Sequence, residues 1–329
     1  MPLPIIYPAQ NSKEEITQLL KMYGKDTLSY FHLQDNRQYF FSPSGKSFLS
    51  YRVERGVAVV AGDPVGPENE IESLLSSFIA YMSIWKLKPC FLGSSAAYLP
   101  LFRKLGLHAL KIGEEAILSL ETFEKSKLKK KVRRAQRHIN NVGIEIFFFT
   151  PEQLPNFIKE QLQQIAQEWI LERGRKEKGF SMTLGRFPQN VDKDYQFAVA
   201  MKEDQVIGYL CFAPVYQQNA FSLDHMRRLS DAPNGLNEAL IISSAEYFKK
   251  RHVAKLSLNF ATFSHDTQGK KGRHHMYKFV SQILMKVYRC DTLRTFNEKF
   301  YPMWESRYIV YPSKKHIPWY ALAIHRLER

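Results

Sequence analysis

The sequence predicts an α/β protein with mixed sheets, in which one α/β unit occurs twice and a basic helix bridges the two copies. Three observations lead there. Runs rich in aromatic and β-branched residues alternate with stretches whose apolar residues recur at i, i+3 and i+4. A similar order of elements returns after Gly143. Between the copies lies a block of lysine and arginine carrying one narrow apolar stripe. The 329 residues suit two domains and a sizeable core. With 44% hydrophobic and 24% charged residues, the chain is not disordered, collagen-like or a coiled-coil rod. Lys plus Arg is 47 and Asp plus Glu is 32, a net charge of +15 that favours polyanionic partners.

The first unit, residues 1–124, opens with a short helix: Ser12-x-x-Glu15 has capping-box spacing, and Ile16, Leu19, Leu20 and Tyr23 form a stripe. TLSYFHL, RQYFFS, KSFLSYRVE and VAVVAG then read as consecutive strands, turned at Ser44-Gly45 and Arg55-Gly56. Residues 67–86 read as a helix through Ile71, Leu74, Leu75, Phe78, Met82 and Trp85. A strand (PCFLGS), a helix (AAYLPLFRKLG) and strands around 107–120 complete the unit.

Residues 125–143 form the linking helix. Lys125, Lys127, Lys129, Lys130, Lys131, Arg133, Arg134 and Arg137 surround a stripe of Leu128, Val132, Ala135, Ile139 and Val142. Its 4-3-4-3 spacing docks one seam and leaves the rest in water, and Gly143 ends it. No acidic residue interrupts the block between Glu124 and Glu145, so a phosphate backbone or an acidic membrane surface suits it better than a solvated face does.

The second unit, residues 144–329, begins with the strand IEIFFFT and a helix over 152–172. FAVAMKEDQVIGYLCFAPV reads as a hairpin turned at Glu203-Asp204, followed by the strand AFSLDHMRR, a Pro233-Asn234-Gly235 turn, the helix LNEALIISSAEYFKKR and the strand LSLNFATF. A further helix carries Met276, Phe279, Val280, Ile283, Leu284 and Val287, and YIVYP with WYALAIHRL closes the chain as paired strands. This order is that of a GNAT-type acyltransferase, an analogy of fold alone.

Several segments could carry chemistry. Gly62-Asp63-Pro64-Val65-Gly66 is a strand-to-helix turn, with glycine and Asp-Pro as punctuation. On a regular strand Asp224 and Met226 share a face, so the carboxylate needs a partner, and Arg227 is a near one. Asn234-Gly235 would aim backbone N–H groups at whatever lies before the next helix. Arg227 to Gly235 lacks the Arg-x-x-Gly-x-Gly/Ala spacing of a pyrophosphate loop, which disfavours acetyl-CoA. His274-His275, beside Lys270, Lys271 and Arg273, lack zinc-ligand spacing, so no metal is expected and the loop extends the basic surface. Cys90, Cys211 and Cys290 form no CxxC, which suits a reducing compartment. No secretory signal or membrane span is evident, so the expected location is cytoplasmic, peripheral at the inner face of the membrane.

Six landmarks in order carry a resemblance: Tyr39-Phe40-Phe41-Ser42 with the 62–66 turn; the Leu128–Arg137 helix; Glu177-Lys178-Gly179-Phe180-Ser181-Met182 with Gly185-Arg186-Phe187; Ser222-Leu223-Asp224-His225-Met226-Arg227; Pro233-Asn234-Gly235; and the run from Phe296 to Tyr308. The chain resembles the cytoplasmic C-terminal domain of bacterial phosphatidylglycerol lysyltransferases, the multiple peptide resistance factor type, over about residues 20–320. The resemblance implies tandem GNAT-like domains. It also implies transfer of an aminoacyl group, lysyl foremost, from tRNA to a hydroxyl of phosphatidylglycerol, with charged tRNA as the activated donor and no separate cofactor. By motif, Asp224 and Arg227 match an essential acid–arginine pair, and Lys299 and Arg307 join them as catalytic candidates. Asn234 and Gly235 match motif positions near the site, and together with Glu238, Asn259, Phe180, Ser181, Arg186 and Trp304 they are the expected substrate-binding residues. Lys127, Lys129, Lys130, Lys131, Arg133, Arg134, Arg137, Lys270, Lys271 and Arg273 would face tRNA or anionic lipid.

The chain departs from the family pattern at Glu238 (usually Asp), at Asn259-Phe260-Ala261-Thr262-Phe263 (usually Gly-Met-Ala-Pro-Leu) and at Ser306 (usually Pro). It also lacks the family's multi-span N-terminal region, so a separate integral flippase is an expected partner. Two other readings stay open: an acyl-CoA-dependent N-acyltransferase, and a tRNA- or membrane-binding module whose catalytic site has drifted.

Overall fold

A computed structural model describes residues 13–172, 180, 183, 184, 187, 191–262 and 290–327. The strands are β1 (Gln38–Phe41), β2 (Phe48–Glu54), β3 (Val57–Ala61), β4 (Lys88–Ser94), β5 (His108–Ser119), β6 (Glu145–Phe149), β7 (Gln196–Lys202), β8 (Gln205–Val215), β9 (Ala220–Arg228), β10 (Lys255–Thr262) and β11 (Met303–Tyr311). They form one sheet in the order β1-β2-β3-β4-β11-β5-β10-β9-β8-β7-β6. The described helices are α1 (Lys13–Tyr23), α2 (Glu68–Ile84), α3 (Leu99–Lys104), α4 (Lys130–Asn141), α5 (Asn156–Glu172), α6 (Leu236–Lys250), α7 (Cys290–Asn297) and α8 (Ile317–Leu327).

The fold is thus mixed α/β, as the alternation of patterns predicts. β1, β2 and β3 pair antiparallel and β4 then joins β3 parallel. β7, β8 and β9 repeat this, with β10 parallel to β9. Alternating residues on β3 split between two cores: Ala58 and Val60 pack with α2 and α3, while Val57, Val59 and Ala61 pack against α8. On the other half, α4 and α6 cover one face with Val132, Ile139, Leu240 and Ile241, and α1 and α5 cover the opposite face with Leu20, Leu162 and Ile165. Of the helix expected over 125–143, Lys125–Lys127 form a 3-10 turn and α4 begins only at Lys130; Leu128 in the extended link between them, and Val132 and Ile139 of α4, are the stripe residues shielded from water.

Two expected strands are helical. Within TLSYFHL, Ser29–Leu33 form a 3-10 turn in which all five residues are buried, so no two-sided alternation distinguishes it. Ser29 N–H and its hydroxyl both donate to the Asp26 carbonyl and tighten that turn. WYALAIHRL does not pair with β11. It lies in α8, whose buried Ile317, Tyr320, Ala321 and Ile324 follow a helical period, with Pro318 in the first turn where its missing N–H costs nothing. The segment around 107–120 is a single strand, β5. The expected helix around Met276–Val287 lies outside the described residues.

Candidate active site

Asp224 does not sit where simple alternation puts it. Across the β8–β9 ladder Cys211 pairs with His225 but Phe212 pairs with Leu223, so Asp224 is the extra residue of a β-bulge. The bulge turns Asp224 away from the face of Leu223 and Met226 and toward Tyr195 and Cys211. Asp224 Oδ2 accepts from Tyr195 Oη–H at 2.7 Å, and Oδ1 accepts from Leu184 N–H at 3.0 Å. His225 Nε2 is 3.4 Å from Oδ1. Burial pushes the Asp224 carboxyl above its ordinary range, against the pull of His225, Tyr195 and Leu184, and it pushes His225 down. Arg227 is buried on the same face, but no ion pair joins it to Asp224. Its guanidinium lies 5.4 Å from the Trp169 ring centre, and burial lowers it to about 10. Leu184, the donor to Asp224, also lines a cavity of about 390 Å³ with Tyr30, Phe187 and Asp192.

Next to the bulge the sheet opens. β9 and β10 pair only from Lys255↔Ala220 to Ser257↔Ser222. Beyond that, β10 continues along β5 with a register shift of its own between Ser257 and Phe260. Asn259 occupies the shift with φ +68°, a region asparagine tolerates. Its Nδ2 donates at 2.8 Å to the Leu223 carbonyl, one residue past the last β9–β10 pair. Asn259 N–H donates to Ser257 Oγ at 3.0 Å, and that hydroxyl donates to Glu115. Glu115 in turn accepts from Arg307 Nε at 2.8 Å. A continuous polar chain therefore runs from Arg307, through Glu115, Ser257 and Asn259, to the backbone beside Asp224.

Arg307 is 2% exposed and its donors are committed. Besides Glu115 it donates to Asp26 and Thr27 at 2.6 Å and to the Gly93 carbonyl at 3.2 Å. Burial opposes its charge, yet Asp26 and Glu115 hold the guanidinium well above its ordinary pKa.

The Phosphatidylglycerol lysyltransferase, C-terminal, family model matches residues 17–311. The chain belongs to that family. The lysylphosphatidylglycerol biosynthesis bifunctional protein LysX of Mycolicibacterium vanbaalenii is 31% identical over 310 residues, which cover 92% of this chain and 28% of that protein. The chain thus spans under a third of that relative's length. Its fold is that of L-PGS from Bacillus licheniformis, with TM-score 0.87, 24% identity and 98% of each chain covered. It is also that of the C-terminal DUF2156 domain of a putative lysylphosphatidylglycerol synthetase from Agrobacterium fabrum, with TM-score 0.84, 23% identity and 94% of each chain covered.

The other expected site residues of this lysyltransferase-family chain divide among separate places. Lys299 donates to Glu238 at 2.7 Å in a cavity of about 810 Å³, which Lys129, Lys131, Arg228, Asn234 and Gly235 also line. Gly235 has φ +95°, and a Cβ there would lie 2.7 Å from Ala135 Cβ, so α4 closes against the start of α6 only over glycine. Trp304 lies under Arg294, 4.3 Å from ring centre to guanidinium, and Phe180 lies under Arg37 at 4.0 Å. Lys127, Lys129, Lys130, Lys131, Arg134 and Arg137 are exposed, whereas Arg133 turns back to donate to the Leu128 carbonyl. Ser181, Arg186, Lys270, Lys271 and Arg273 lie outside the described residues. Sequence reasoning missed Tyr195, Asp26 and Glu115; the one available signal was the Glu114-Glu115 pair in the middle of a strand, just before the apolar Ala116-Ile117-Leu118. No described helix is long and apolar enough to cross a membrane.

Asp63 gives a pH prediction. Burial, reinforced by Asp26 and opposed by Arg307 and Ser95, raises it from 3.8 to about 7. Between those values the folded chain holds a proton the unfolded chain has lost, so this group lowers stability as pH rises through the window. The Tm difference, Asp63→Asn minus wild type, is expected to be more positive at pH 8 than at pH 5 in a thermal melt.

Proposed function

We propose that the chain transfers a lysyl group from lysyl-tRNA to a hydroxyl of phosphatidylglycerol, and that its repeated strand pattern represents two GNAT-like units, 1–124 and 144–329, joined by the basic helix. The family match over residues 17–311 carries this reading. In the reaction the lipid oxygen bonds to the ester carbonyl carbon, the bond from that carbon to the ribose oxygen breaks, and the lipid hydroxyl proton ends on the ribose oxygen. An aminoacyl ester is already activated, so the protein has to position the hydroxyl, move that proton and stabilise the tetrahedral oxyanion. Asp224, with Tyr195 and His225, is the candidate proton-handling group beside the β9–β10 opening. The exposed edge of α4 supplies phosphate contacts for tRNA. A CoA pyrophosphate is poorly served, because Ala135 packs against Gly235 at the turn before α6.

The test is transfer of label from radiolabelled lysyl-tRNA into extractable phosphatidylglycerol by the purified chain; no label in the organic phase, beside an active control enzyme, rejects the reading. For the α4 contacts, neutralising Lys130, Arg134 and Arg137 should reduce the slope of log affinity for tRNA against log salt by about 0.7–0.9 per residue that touches phosphate. An unchanged slope would remove α4 from the interface.

A further inference from the structure

At the end of the sheet where β3 and β4 begin, exposed apolar side chains and cations share one surface. Val57 at the start of β3 pairs with Lys88 at the start of β4 and with Glu54 at the end of β2. Tyr311, the last residue of β11, pairs with His108, the first of β5. The chain leaves α2 at this end through Trp85-Lys86-Leu87, and Lys88 N–H donates to the Gly56 carbonyl at 2.9 Å. α8 crosses the same end. Its Tyr320 ring lies 5.7 Å from that of Tyr311, and its Arg326 pairs with Glu54 at 3.5 Å.

Trp85 is 62% exposed and Trp319 54%. Ile84, next to Trp85, and Leu322, one turn after Trp319, are exposed with them. The other two tryptophans, Trp169 and Trp304, are half-buried. Both exposed rings are held in place: Trp85 packs edge-on to Tyr81 at 6.2 Å, and Trp319 edge-on to His316 at 6.3 Å. Around them the charge has one sign. Segments 51–56, 81–88, 103–109 and 311–327 contain nine Lys or Arg and one acid, Glu54. Glu54 is shared by Arg55 and Arg326. Lys86, Lys314 and Lys315 are exposed and have no ion-pair partner among the described residues.

Single exposed apolar residues are ordinary. Exposed Trp and Leu framed by lysine are different, because the core of a protein–protein interface is depleted of lysine. An anionic bilayer accepts both kinds of group: indole rings settle among the headgroups, and Lys and Arg stems reach the phosphates.

We propose that this end of the chain docks on an anionic bilayer surface, with Trp85 and Trp319 at headgroup level and Lys86, Lys314 and Lys315 against lipid phosphates. The surface is separate from α4, which packs on the second half, where Gln136 donates to Ser243 of α6 at 3.1 Å. RNA and bilayer therefore meet different parts of the chain. The choice of lipid as partner rests on the phosphatidylglycerol reading, but its test needs no tRNA and no turnover.

The probes are vesicles of phosphatidylcholine, alone or with about 30% phosphatidylglycerol, sedimented with the purified chain. Binding to the mixed vesicles should be about tenfold tighter or more, with the tryptophan emission shifted to shorter wavelength. Trp85→Ser combined with Trp319→Ser should weaken that binding about tenfold and remove the shift. Lys86→Glu combined with Lys315→Glu should abolish the preference for anionic vesicles. All four positions are exposed, so both double variants should keep the wild-type Tm. Equal binding to the two vesicle types overturns the proposal. A tryptophan variant that binds like wild type does so too, as does a preference lost only when Lys130 and Arg134 of α4 are reversed to Glu. If the tryptophan variant instead abolishes a dimer seen in sedimentation velocity, the surface is a subunit interface and the proposal falls. Vesicle binding without lipid labelling supports docking while the transfer reading fails. Labelling of detergent-dispersed phosphatidylglycerol without vesicle binding sinks docking and leaves the transfer reading intact.

Discussion

Asp224→Asn should lower lysyl transfer by about 10²-fold or more while tRNA affinity stays within about twofold of wild type. The two effects separate because of where the groups lie. Asp224 is buried in the β9 bulge, whereas the exposed cations of α4 lie on the opposite side of that strand's core. Asn keeps a carbonyl for the Tyr195 hydroxyl or for Leu184 N–H, but its amide turns a donor toward whichever is left. That mismatch should cost about 1–3 kcal/mol in a urea titration. Asp224→Ala removes both acceptors and should be less stable still. Transfer at wild-type rates by a folded Asp224→Asn would exclude the carboxylate from proton handling.

Arg307→Met should be the most destabilising single change considered for this chain, at about 3–5 kcal/mol, because it leaves buried carboxylates without their cation. Asp26 and Glu115 both depend on that one guanidinium. Burial already raises the Asp26 carboxyl in the presence of Arg307. Without Arg307 the folded state would favour protonation further, so stability should fall as pH rises through the folded pKa. The deficit relative to wild type is accordingly expected to be smaller at pH 5 than at pH 8. Adding Glu115→Gln and Asp26→Asn to Arg307→Met should recover much of the loss, since neutral groups are cheaper to bury. A single variant as stable as wild type would show that the cluster is not sealed from water.

How much of this was legible in the sequence depended on the range of the interaction. The Val132 and Ile139 seam was readable because α4 carries it alone, beside a run of exposed cations. The Glu203-Asp204 hairpin was equally local. The α8 segment contained its helical period too, but its aromatic and β-branched residues argued for a strand. The position of Asp224 was not readable. A bulge adds a residue without changing composition, and one extra residue inverts every inference from alternation. Arg307 was recognisable only as a motif position. Its partners Asp26, Gly93 and Glu115 come from three distant parts of the chain, and no local pattern announces a buried cation. The proximity of Asp63 to Arg307 had the same long-range origin.

The place of β11 between β4 and β5 has a consequence for the order in which the molecule is made. Glu115 and Arg307 are separated by 192 positions, so β5 leaves the ribosome long before its neighbour exists. Until residues 303–311 emerge, β4 and β5 each lack an edge partner, and their apolar backs stay open to other nascent chains. Such late closure favours slow maturation and reliance on holding factors. Pulse-labelled amide exchange during refolding should find the amides of β4 and β5 that bond to β11 guarded last, together with those of β11, and later than the amides that bond to β3 or β10.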